Sequence, residues 1–213
     1  MAADGGFMFL RHLVVGDIET NCYLFGADDT TDCAVVDPGD DADMIIYMAQ
    51  SSNKNISAIL LTHGHFDHIG AVSTLREKFG VKVYALKDEE VVLTDSGVNL
   101  SMYHGAAYKE HADVYLKDGD SIDVAGCNVK VLATPGHTIG SACYYIEKEN
   151  VLFSGDTLFQ QSVGRTDFST SSSTMLVRSI HEKLFTLPSE TLVYTGHGPE
   201  TDIGYEKKYN YYV

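Results

Sequence analysis

Residues 57–70 read SAILLTHGHFDHIG, a short apolar run bounded by polar residues and followed at once by three histidines and an aspartate within six positions. The run suits a β-strand buried on both faces, and such a strand needs cover on each side of its sheet. The four ionisable side chains give a folding core nothing, because each costs free energy to bury without a partner. Standing where a buried strand gives way to a helix, they lie at a sheet edge where ligands converge. His63 and His65, two apart in an extended turn, aim at one point; Asp67 and His68, at the helix start, aim at a second. Imidazole nitrogen and carboxylate oxygen are the donors that a borderline divalent ion prefers.

Strands alternate with helices around this motif. Residues 7–15, 21–27 and 33–37 read as strands, and DPGDDADMIIYMAQ opens a helix with Asp40 or Asp41 as its N-cap. A helix over 67–80 leads into a strand at 81–85. The stretch 94–118 is irregular and polar, with strands again at 121–124, 127–133, 141–147 and 150–154. Leu176, Ile180 and Leu184 recur every four residues and place an apolar stripe on a helix near 172–185. A last strand at 191–195 precedes a helical tail. This order fits an α/β fold of mixed sheets with helices on their outer faces, as a single domain over 1–213.

Three further strand ends carry ligand-capable side chains beside glycine: His137 in ATPGHTIGS, Asp156 in LFSGDTLF and His197 in YTGHGPE. With the first motif they make seven donors. The chain has 30 acidic against 15 basic residues and a formal charge of -15, which repels nucleic acid and deters anionic substrates unless bound cations concentrate positive charge at the site. The start lacks the pattern of a signal peptide and no later run reaches spanning length, so a cytoplasmic protein without a membrane partner is expected. Cys22, Cys33, Cys127 and Cys143 lie far apart with no C-x-x-C pair and read as buried thiols.

As an ordered set, THGHFDHIG, TPGHTIGS, FSGDTLF and GHGPETDIG resemble the motifs of metallo-β-lactamase-fold hydrolases, and within them the glyoxalase II (hydroxyacylglutathione hydrolase) branch. SVGRTDF, EKLFTLP and GPETDIGYEKKYN narrow the likeness to the short bacterial type. The resemblance implies an αββα four-layer sandwich with two divalent metal ions at one edge, zinc before iron or manganese. It implies that His63, His65 and His137 bind one ion, that Asp67, His68 and His197 bind the other, and that Asp156 bridges them. Two such ions lower the pKa of water toward neutrality, and Asp67 is implied as the catalytic group that orients the nucleophile and takes its proton. Asp37 and Asp167 are candidate acceptors for ligand imidazole N–H groups, with a purely structural turn role as the alternative for each.

The substrate implied is a small-molecule thioester such as S-lactoylglutathione, whose thiolate leaves with little protonation; the carboxylate at 156, in place of a thiol, disfavours lactam hydrolysis. Longer relatives hold glutathione with a basic helical extension, whereas this sequence ends at Val213. Arg165 either pairs with a substrate carboxylate or forms an internal salt bridge with Asp167. Persulfide dioxygenases resemble the chain in GRTDF and HEKLFTLP, using one iron on the counterparts of His63, His137 and Asp156. Tyr103 and Tyr108 either touch substrate or pack into the core, the latter being more usual. YEKKYNYYV closes an edge or joins two copies, leaving monomer and homodimer both open.

Overall fold

A computed structural model describes residues 8–105 and 107–213. The first sheet carries β1 (Met8–Val15), β2 (Thr20–Ala27), β3 (Asp32–Val36), β4 (Asn55–Leu60), β5 (Lys82–Leu86) and β6 (Val114–Leu116) side by side in chain order. Its first three strands run antiparallel and the rest parallel. The second sheet contains β7 (Ser121–Val124), β8 (Cys127–Ala133), β9 (Ala142–Ile146), β10 (Val151–Gly155), β13 (Leu192–Thr195) and β14 (Thr201–Asp202), ordered β14-β13-β10-β9-β8-β7. A small hairpin, β11 (Leu158–Phe159) and β12 (Ser162–Val163), stands apart.

Strand alternation sorts three cores. Tyr23 and Phe25 of β2 face Val129, Val131, Tyr144 and Phe153 of the second sheet. Cys22 and Leu24, from the same strand, turn the other way to meet α1 (Ala42–Ser51) and α3 (Val72–Phe79) through Ile45, Val72 and Leu75. A slip of one residue would exchange these faces. Behind the second sheet, Cys143, Tyr145 and Leu152 pack on Leu176, Ile180, Leu184 and Ile203. The layers are therefore helix, sheet, sheet, helix, the αββα sandwich anticipated from the motifs. Each fully buried Leu or Phe in it contributes about 1.5–3 kcal/mol.

The apolar stripe lies on α5 (Ser173–Ser179), capped by the Ser172 hydroxyl and prolonged as a π-helical turn over Ile180–Leu184. Asp41 is the N-cap of α1, one of the two residues expected there, although its side chain makes no capping bond and instead accepts the Gly16 N–H at 2.9 Å. Two expectations need correction. The helix expected over 67–80 is broken into α2 (Phe66–Ile69) and α3, because Ala71 N–H donates to the Pro38 carbonyl at 2.9 Å rather than back along a helix. The stretch 94–118 contains β6 and a 3-10 turn at Ser101–His104, following α4 (Glu90–Thr94). All four cysteines are free and buried. Among the described residues no helix is long and apolar enough to cross a membrane.

Candidate metal centre

The seven donors meet at one edge of the sandwich because each follows the carboxyl end of a strand: His63, His65, Asp67 and His68 follow β4, His137 follows β8, Asp156 follows β10 and His197 follows β13. Donor atoms of His63, His65 and His137 lie within 4.8 Å of one another, as do those of Asp67, His68 and His197. Asp156 stands between the two groups. Its Oδ1 is 3.5 Å from His68 Nε2, while Oδ2 is 3.5 Å from His137 Nε2 and 3.7 Å from His197 Nε2. Gly196 permits this, since a Cβ there would fall 2.1 Å from Asp156 Oδ1.

The buried Nε2 atoms of His63, His65 and His68 and Oδ1 of Asp156 have no hydrogen-bond partner. Unsatisfied polar atoms at such density are costly. Here they converge on two points, and His65 Nδ1 faces His137 Nε2 at 3.0 Å. The donor set fits divalent cations.

Electrostatics divide the two groups. Burial, reinforced by neighbouring imidazoles, pushes His63 well below its ordinary pKa and His65 to about 3. Burial also lowers His137. For His68, burial is outweighed by the Asp67, Asp156 and Asp37 carboxylates, which raise it to about 10. His197 is raised as Asp67 and Asp156 overcome its burial. Despite its own burial, Asp67 is held well below the usual carboxylate range by His68 and His197, whose Nε2 lies 3.2 Å from Asp67 Oδ2.

Asp37 receives the His68 Nδ1–H at 3.0 Å and also accepts the Thr62 amide and hydroxyl at 2.8 and 2.6 Å. It also falls within a possible donor group with His63 and His68, but these hydrogen bonds occupy its oxygens and make it an orienting residue. Asp167 does not take the role expected of it. His137 Nδ1 bonds instead to the Arg165 main-chain carbonyl at 2.8 Å. The Asp167 carboxylate grips the Arg165 guanidinium two residues away at 3.0 and 2.7 Å, both side chains being largely exposed. Arg165 nonetheless lines the cavity over the donors, with Tyr103 at its rim. Tyr108 packs against the helix-side core.

Three further residues hold the donor loops. Thr20 donates to Asp67 Oδ2 at 3.2 Å. Asn21 ties the His197 loop through the Thr195 and Gly198 carbonyls, each at 2.9 Å. Glu89, fully buried, accepts from Gly64 N, Thr138 Oγ1 and Gly140 N at 2.7, 2.8 and 2.9 Å, thereby joining the His63/His65 loop to the His137 loop. Burial pushes its pKa up to about 7 against the pull of those three hydrogen bonds.

The chain belongs to the metallo-beta-lactamase superfamily, whose profile matches residues 15–197. A Bacillus subtilis protein described as the probable metallo-hydrolase YqgX is 41% identical over 202 residues, 94% of this chain and 95% of that one. Hydroxyacylglutathione hydrolase GloC of Haemophilus influenzae is 34% identical over 95% of this chain and 97% of its own. Among solved structures, BLEG-1 B3 metallo-beta-lactamase superposes with a TM-score of 0.91 at 42% identity, covering 96% of this chain and 99% of that one. TTHA1623 in a di-iron-bound form gives 0.84 at 33%, covering 95% and 100%. ETHE1 from Myxococcus xanthus gives 0.81 at 32%, covering 95% and 83%. The chain is thus a metal-dependent hydrolase by family, with His/Asp metal-binding groups.

Proposed function

We propose that this chain hydrolyses thioesters in the manner of glyoxalase II, working with two divalent cations, zinc foremost and iron or manganese as alternatives. The observation that carries this reading is the complete second donor group, Asp67, His68 and His197, beside His63, His65 and His137 with Asp156 between them. In this reading His63, His65 and His137 would hold one cation, Asp67, His68 and His197 would hold the other, and Asp156 would serve as a donor to the pair. Bound together, such cations lower the pKa of water toward neutrality and polarise an acyl carbonyl. Asp67, kept ionised by His68 and His197 and hydrogen-bonded by Thr20, would orient the attacking water and receive its proton. A thiolate departs with little protonation, so the site needs no strong general acid. The 34% identity to GloC supports a hydroxyacylglutathione-type thioester such as S-lactoylglutathione as substrate.

Two other readings have specific support. Similarity to ETHE1 favours a persulfide dioxygenase with one iron on His63, His137 and Asp156. The 42% identity to BLEG-1 brings β-lactams back into consideration, against the expectation from the carboxylate at 156. Protein of measured metal content, assayed for S-lactoylglutathione hydrolysis, oxygen uptake with glutathione persulfide and β-lactam opening, separates the three. Two cations per chain with thioester cleavage is the expected result. One iron, oxygen uptake and no hydrolysis overturns it.

A further inference from the structure

Leu100 has φ 71 and ψ -3, in the left-handed region that a branched aliphatic residue enters only at a cost. Both of its neighbours are pinned. Asn99 is fully buried; its Nδ2 donates to the Tyr108 carbonyl at 2.9 Å, its Oδ1 accepts the Ser101 amide at 3.0 Å, and its own carbonyl accepts the Phe66 amide at 2.9 Å. Ser101 Oγ in turn accepts the Tyr108 amide at 2.9 Å. Glycine or asparagine would satisfy this backbone without strain, so the backbone conformation gives no reason for leucine.

Leu100 lines a cavity of about 470 Å³ that also contains His65, Asp67, His137, Asp156 and His197. Ile18, Phe66, Tyr103, Phe159 and Phe168 supply the rest of its apolar lining. Arg165 is the only lysine or arginine among the described residues that line it, and its Nε and Nη2 are already taken by Asp167. A substrate arm rich in carboxylates therefore meets no unpaired lysine or arginine among the described lining residues, in a protein of formal charge -15. Apolar groups gain from the same lining, each buried methylene being worth about fourfold in binding.

We propose that Leu100, held in a strained conformation in the lining it shares with Phe159 and Phe168, makes the site select thioesters with an apolar acyl group, branched aliphatic or aryl, over the polar lactoyl group. The proposal rests on the thioesterase reading. The acyl carbon is the atom attacked beside the donors, so its substituent shares the cavity with these walls whichever thiol departs.

The test uses one neutral thiol, N-acetylcysteamine, carrying acetyl, lactoyl, 3-methylbutanoyl or phenylacetyl groups, with the metal-loaded protein. The 3-methylbutanoyl ester should exceed the lactoyl ester about tenfold or more in kcat/KM. Leu100→Gly, which removes both the side chain and the strain, should cut that ratio several-fold while the melting temperature stays level or rises. Leu100→Asn, also at ease with positive φ, should act in the same direction, and phenylacetate should bind both variants more weakly by calorimetry. Thioester cleavage without acyl preference, or a preference that survives in both variants, overturns the inference and leaves the thioesterase reading standing. A fall in melting temperature for both variants with the ratio unchanged makes Leu100 a structural residue and overturns it too. If no thioester is cleaved while persulfide or β-lactam is consumed, the thioesterase reading falls and carries this inference with it.

Discussion

Oδ2 of Asp37 lies 3.0 Å from Nδ1 of His68, buried at the junction of β3 and the donor edge. The bond fixes the imidazole so that Nε2 points between Asp67 and Asp156, at 3.6 and 3.5 Å. Carboxylate support of this kind typically changes metal affinity about 10–100-fold. Asp37→Ala should therefore weaken zinc at the Asp67/His68/His197 group by that factor and at the three-histidine group by much less, read by chelator competition. It should also lower stability by about 1–3 kcal/mol, because the buried Thr62 amide loses its acceptor. Equal weakening at both groups would reduce Asp37 to a general fold residue.

Proton competition should separate the two groups as well. In the metal-free protein His68 and His197 are raised, so a cation there displaces protons, whereas His63, His65 and His137 are lowered and stand ready as neutral ligands. As pH falls from about 8 to 5, metal content should step from two per chain to one before reaching zero. Simultaneous loss of both ions would contradict this. The linkage for metal-free stability has the opposite sense: a histidine raised from 6.5 to about 10 stabilises the fold fully below 6.5, and that stabilisation is lost as pH rises through about 10. The melting temperature of metal-free protein should fall over this alkaline range, and His68→Ala should flatten the slope.

The donors were legible in sequence because each is local: a strand, then a glycine-bearing turn, then a ligand-capable side chain. The strand at 21–27 and the four-residue stripe of Leu176, Ile180 and Leu184 were legible for the same reason. Glu89 was not, since KDEE reads as a solvated run of charge while its partners Gly64 and Gly140 lie 25 and 51 residues away. Thr20 and Asn21 act on Asp67 and the His197 loop across 47 and 174 residues. At three residues β6 is too short to display a period, and the break between α2 and α3 depends on the distant Pro38 carbonyl. Asp167 stood between two readings, acceptor for a ligand histidine or salt-bridge partner of Arg165, because a sequence cannot say which way a carboxylate turns; the structure gives the second.

Glu89 gives a prediction complementary to that for Asp37. A carboxylate accepts from all three of its partners, but an amide presents one acceptor oxygen and sets its own N–H groups against either Gly64 or Gly140 and Thr138. Glu89→Gln should loosen the spacing of the His63/His65 and His137 loops, cost about 1–3 kcal/mol of stability, and release metal from the three-histidine group before the other. A shifted spectrum of cobalt-substituted protein would report that change in geometry. Metal loss in the same order as for Asp37→Ala would show that Glu89 does not set this spacing.

Arg165 and Asp167 supply the last prediction. Their exposed, bidentate pairing spans two residues and is open to solvent, so it contributes little to stability. It does occupy the guanidinium that would otherwise meet a substrate carboxylate beside the donors. Asp167→Ala should therefore free Arg165 and lower KM for a glutathione thioester relative to a neutral N-acetylcysteamine thioester, while kcat, metal content and melting temperature hold steady. Arg165→Ala should leave the melting temperature unchanged and, in the Asp167→Ala background, abolish the gain. A KM for the glutathione thioester that ignores Asp167→Ala, or that falls equally for the neutral ester, would remove Arg165 from substrate recognition.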